Sequence, residues 1–279
     1  MKWKENKRVM IFGIFTLVFL IVFTVLYYFN RNSHFLTLLM CTPTVSVILT
    51  RLITKEGFKN LYIKPNFKGN EKYYLSAYFL TPVVAYAGAI LYFLIFRNDY
   101  DLQGSAFAIE SGAEAMDAYI KSLLVTIPLA IVVNPIMGIV QCFGEEFVWR
   151  GYLLPKLSEK FSKQKAVIIN GIIWGIWHSP IIVMGFNYGT WNPFLGVIAM
   201  ILLCVVLGII ESFLFYKTNS IWCSVFFHAA VNGIDLYKPS NLFMSKEPNL
   251  FIGPDLIGII GGIGFIVTAF ILFARLRKI

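Results

Sequence analysis

The chain has 279 residues, 58% of them apolar and only 14% Asp, Glu, Lys or Arg, where an ordinary soluble domain carries about 25% charged residues. With a mean hydropathy of +0.71 there are too few charges to cover a soluble globule, which excludes a soluble enzyme, a disordered tail and a secreted disulfide scaffold. A net charge of +9 would suit nucleic acid if it lined an exposed groove with interleaved aromatics, but here it fringes apolar runs, so no nucleic-acid partner is expected.

The first apolar run covers about 9–29, behind Lys2, Lys4, Lys7 and Arg8. It is long for a signal peptide and no small-residue cleavage site follows, so it reads as a retained span. Further runs lie at about 34–52, 74–96, 120–140, 167–186, 194–215, 221–236 and 256–273. Each approaches the ~20 residues that cross a hydrocarbon core of about 30 Å. They predict an all-α polytopic transmembrane bundle of about eight spans.

With both termini cytoplasmic, the basic groups around 2–8, 51–72, 156–165, 217 and 275–278 fall inside. Only Arg31, Arg97, Lys121, Lys238 and Lys246 fall outside, as the positive-inside rule requires. The acidic stretch Asp99, Asp101, Glu110, Glu114 and Asp117 also falls outside. The lipid bilayer is then a partner, and the expected location is a multi-pass position in a bacterial plasma membrane. No connection is long enough for a separate soluble domain, so 1–279 reads as a single integral membrane unit. Cys41, Cys142, Cys204 and Cys223 form no C-x-x-C pair and read as small buried apolar residues. The glycines from 253 to 264 read as helix contacts in the last span.

Ionisable groups inside apolar spans cost about 2.5–3.5 kcal/mol each on insertion scales, so they face cavities or partners and mark function. If the fourth run stays helical through Gln141–Arg150, Glu146 and Arg150 are neighbours at i,i+4, while Glu145 points about 100° away. One carboxylate gains a counter-ion and the other is left for general-base work, unless both merely cap the span at the water interface. His178 lies within the fifth run, with Trp174 one turn before it and Pro180 just after. It can be a reacting group or interhelical glue. His228 and Asn232, four apart in the seventh run, present polar groups to one surface. They can bind a metal, donate to an oxyanion, or simply bridge helices. Glu211 and Asp235 lie near run ends and are secondary. A base, a second water-orienting group and oxyanion donors together suit hydrolysis of an acyl bond in one cytoplasm-facing cavity. There is no H-E-x-x-H motif, although zinc can be gathered from Glu and His on different spans.

The three patterns Glu145-Glu146-x-x-x-Arg150, Trp174-x-x-x-His178 and His228-x-x-x-Asn232 resemble the family of CAAX prenyl proteases and bacteriocin-processing enzymes, the Abi-type or CPBP intramembrane endopeptidases. That family commonly has Phe at the position of Trp174. The resemblance covers a catalytic core of 118–236, leaving 1–117 as three spans and an outer loop and 237–279 as the last loop and span. It implies an intramembrane endopeptidase in which Glu145 and His178 activate water and His228 and Asn232 stabilise the oxyanion. Glu146, Arg150 and Trp174 support them. Members are described both as metalloproteases and as glutamate-dependent enzymes without metal. The metal-free form is favoured here because the oxyanion role uses His228; a divalent metal such as zinc, if present, would sit on Glu145, His178 and His228. The implied substrate is a peptide or membrane-associated protein, prenylated in eukaryotic relatives. Two other classes are open to these residues: a non-catalytic scaffold or bacteriocin-immunity protein, and a proton-coupled transporter.

Overall fold

A computed structural model describes residues 2–113 and 115–278, with side chains from Asn6 onward. Lys2, Lys4 and Glu114 in the charge pattern therefore lie outside the described side chains. The described residues form helices and loops only, in keeping with a hydrocarbon solvent that offers the backbone no partners of its own. The main helices are α1 (Lys2–Asn30), α2 (Ser33–Ile53), α3 (Glu71–Ile95), α4 (Met116–Ser158), α5 (Lys163–Val183), α6 (Pro193–Thr218), α7 (Ile221–Asp235) and α8 (Ile263–Arg275). Six of them, α1 to α6, are long and apolar enough to cross a membrane.

The last two differ from expectation. At 1.5 Å per residue, the 15 residues of α7 and the 13 of α8 span only about 20 Å each. The final run does not begin its helix at 256. Residues from Asn249 to Gly262 form instead a tight coil, closed by Ile259 N–H to Phe251 O (2.8 Å), Gly261 N–H to Gly253 O (3.1 Å) and Gly262 N–H to Gly258 O (2.7 Å). Its glycines let backbone meet backbone. A Cβ on Gly261 would lie 2.2 Å from Asp255 O, and one on Gly88 of α3 would lie 2.0 Å from Gly261 O. The coil thus packs on α3 where a side chain would have kept it away.

Helix starts follow capping chemistry. Asn32, Ser162, Asn192 and Ser220 each accept a backbone N–H of the following turn, and α6 ends on Asn219 at φ 49°, in the left-handed region. α4 is continuous for 43 residues, about 64 Å. Two π-helical turns interrupt its α geometry, Leu129–Val133 and Trp149–Leu153. The second is secured at Trp149 O, which accepts from Leu154 N–H and, at 2.9 Å, from the buried Asn170 of α5.

The helices alternate in direction. Lys160 reaches Asn6 (2.7 Å) and Arg277 reaches Gln164 (3.2 Å), so both terminal segments lie at the end of the bundle that carries the basic loops. Glu56 gathers Lys156 (3.0 Å), Arg8 (3.8 Å) and Arg51 (4.0 Å) there, tying α1, α2 and α4 together. The core lies where α2, α4, α5, α6 and α7 converge, and α7 is buried along most of its length. Glycines set the spacing of that core: Gly144 of α4 would place a Cβ 2.9 Å from Met40 O, and Gly175 of α5 one 2.5 Å from Ile201 Cα. This is a multi-pass helical membrane protein.

Candidate active site

Four helices deliver the polar residues to one place. α4 carries Glu145, Glu146 and Arg150; α5 carries Trp174 and His178; α6 carries Glu211; α7 carries His228 and Asn232. A cavity of about 270 Å³ is lined by Glu145, Trp174, His178, His228 and Asn232, with Leu39, Met200 and Leu207 among its apolar walls. Contrary to the expected cytoplasm-facing opening, the cavity runs toward Phe186, Asn187, Asp235, Lys238 and Asp255, at the end of the bundle opposite the basic loops. The reason lies in α5, where His178 sits close to the far end of the helix rather than near its middle.

Adjacent carboxylates face different ways. Glu145 lines the cavity, and its Oε2 accepts the indole N–H of Trp174 at 2.7 Å and, more weakly, that of Trp149 at 3.4 Å. Glu146 points behind the cavity into a fully buried ionic cluster. Its Oε1 accepts from Arg150 Nη1 at 2.7 Å and from His228 Nδ1 at 3.0 Å. The other end of the guanidinium, Nη2, pairs with Glu211, and Glu211 Oε1 lies 3.9 Å from His228 Nδ1. Gly208, one turn before Glu211, leaves the space: a Cβ there would sit 3.2 Å from Arg150 Nη2. Burying these charges is tolerable only because each has a partner.

The histidines are oriented by their other nitrogens. His178 Nδ1 lies 2.9 Å from Trp174 O, an acceptor, so Nδ1 carries the proton and Nε2 keeps its lone pair. Asn232 directs Nδ2 at Cys142 Sγ (3.6 Å). The Trp174 ring is held on several sides, with the Arg150 guanidinium 4.5 Å from its centroid and the rings of His228 and His178 at 5.4 and 5.8 Å.

Residues 123–234 match the family described as type II CAAX prenyl endopeptidase Rce1-like. A CAAX prenyl protease 2 from Methanococcus maripaludis is 34% identical over 99 residues, which is 32% of this chain and 34% of the relative. The chain thus aligns with about a third of that relative's length. Over this segment the chain is similar to the CAAX protease family. The matched segment contains Glu145, Glu146, Arg150, Trp174, His178, Glu211, His228 and Asn232.

The metal set differs from expectation. Among the described residues, Glu146, Glu211 and His228 bring ligand atoms within 4.8 Å of one another, whereas Glu145 and His178 stand outside that group. Donor type and separation fit a divalent ion, and Glu146 Oε2 and Glu211 Oε1 lack hydrogen-bond partners. Arg150 already supplies positive charge to the same two carboxylates, so an ion there would share them with the guanidinium. Glu211 is thus part of the cluster, although its place near a run end marked it as secondary. A single acid in a predominantly apolar 26-residue helix was the signal that could have found it.

Proposed function

We propose that the chain is an intramembrane endopeptidase that hydrolyses a peptide bond in a peptide or membrane-associated protein. The observation that carries this reading is that Glu145, His178, His228 and Asn232 line one cavity while Glu146, Arg150 and Glu211 stand behind it. In the proposed reaction a water lies between Glu145 and His178. Glu145 takes a proton from it and His178 Nε2 orients it by accepting its second hydrogen bond. The hydroxide adds to the scissile carbonyl carbon, and the oxygen that becomes negative is received by His228 and Asn232. Collapse of the tetrahedral intermediate breaks the C–N bond, and the leaving amine takes the proton from Glu145. His228 Nδ1 already donates to the Glu146 carboxylate, an acceptor only, so donation from Nε2 requires both ring nitrogens protonated. Two carboxylates, one guanidinium and one imidazolium then balance.

A divalent ion, when bound, would be held by Glu146, Glu211 and a His228 in its neutral form, and would supply Lewis-acid charge in place of the imidazolium. Eight membrane crossings, with the basic end of the bundle and both termini in the cytoplasm, complete the proposal. The relative's name points to prenylated Cys-a-a-X peptides as first substrates to try. The test is cleavage of an internally quenched farnesylated peptide by purified protein. Glu145→Gln and His178→Ala are expected to lose at least about 100-fold in kcat while retaining wild-type thermal unfolding. Undiminished turnover in either variant rejects the reading.

A further inference from the structure

Trp174 touches Glu145, Arg150, His178 and His228, and its role goes beyond shaping a pocket. Its indole N–H reaches Glu145 Oε2 at 2.7 Å, and Trp149 approaches the same oxygen at 3.4 Å. Among the described residues no group donates to Oε1. The two carboxylate oxygens are therefore unlike: one is held by indoles and the other is left to the cavity. The backbone carbonyl of Trp174 meanwhile accepts from His178 Nδ1 at 2.9 Å, which turns Nε2 of that ring outward. One residue thus orients both groups that face the water, the carboxylate through its side chain and the imidazole through its backbone.

The ring itself has little freedom. Arg150 lies over it at 4.5 Å from the centroid, and Trp174 is 2% exposed. A cation on the ring draws electron density from the indole and strengthens its N–H as a donor, as linked polar groups polarise one another in a low-dielectric interior. Phenylalanine at this position would preserve the ring and lose the donor.

We infer that Trp174 is a positioning residue that clamps Oε2 of Glu145 and so assigns Oε1 as the oxygen that takes the proton from water. This rests on the reading of Glu145 as the base, and the experiment separates the two. In the purified full-length protein labelled with [15N]tryptophan, the Trp174 indole signal is identified by its loss in Trp174→Phe. It is expected downfield of a free indole, moving upfield in Glu145→Ala; a signal that ignores that substitution overturns the clamp whatever the enzyme does. On the farnesylated peptide, Trp174→Phe is expected to lower kcat about 10- to 100-fold, the range set by a hydrogen bond to a charged acceptor, with KM within about twofold. Trp149→Phe, at the longer bond, loses less. A wild-type kcat in Trp174→Phe, or a loss confined to KM, overturns the inference. A wild-type enzyme that leaves the peptide intact counts against the peptidase reading alone, and the indole shift then decides the clamp.

Discussion

Arg150 is fully buried between two carboxylates, and its removal exposes how the site is balanced. Arg150→Ala leaves Glu146 and Glu211 one positive charge short, with His228 beside them, so a loss of about 3–5 kcal/mol is expected, measured as a fall in thermal unfolding temperature in detergent. Arg150→Lys keeps the charge and loses the fork that reaches both partners, so an intermediate loss is expected. The divergence of Glu145 and Glu146 was legible in the sequence, because adjacent residues on a helix point about 100° apart and only Glu146 has a basic residue at i+4. The donor role of Trp174 was not. An aromatic at that position satisfies the pattern whether or not it carries an N–H, and only the approach of α5 to α4 shows which atom the indole meets. The metal-capable group was missed for a similar reason: its third member, Glu211, comes from a helix whose rotation no motif reports.

At the scale of elements, the crossing of α5 and α6 determines whether the site assembles. Gly171 and Gly175, four apart on α5, would place Cβ atoms 2.8 Å from Val205 Cα and 2.5 Å from Ile201 Cα, both backbone positions that cannot step aside. Gly175→Ala is therefore expected to cost about 1–3 kcal/mol as the helices separate, and to reduce turnover as well because His178 follows within a turn. The six long helices were legible from run length alone. The coil of Asn249–Gly262 was not, since Leu256, Ile257, Ile259 and Ile260 continue into the apolar run of the last helix and its glycines read equally well as packing sites. Outside the spans, Asp99 joins the loop after α3 to the segment before the coil. The Lys246 ammonium and the Tyr92 hydroxyl, each 2.6 Å away, hold its carboxyl below the usual range. A lowered native value means the tie is fully present above the unfolded pKa of about 3.9 and is lost as pH falls through the native one. Hydrogen exchange in the loop after α3, taken relative to the intrinsic rate at each pH, is expected to be unchanged from pH 7 to 5 and to rise only below about pH 4. In Lys246→Ala the rise is expected at higher pH.

For the whole molecule, the proposed orientation makes a prediction of sidedness. In intact cells an impermeant thiol reagent is expected to label Ser111→Cys and to spare Lys68→Cys until the membrane is opened; the reverse pattern inverts the bundle. The basic bias that suggests this orientation was legible from residue counts, but the position of the cavity within the bundle was not. It depends on where along α5 and α7 the reacting groups fall once the helices have true ends. Because the cavity leads away from the basic loops, hydrolysis in this protein would be vectorial. The scissile bond would be approached from one compartment and the severed fragment released into that same compartment. A membrane-impermeant inhibitor would then silence the enzyme from one face of a sealed vesicle and leave it untouched from the other.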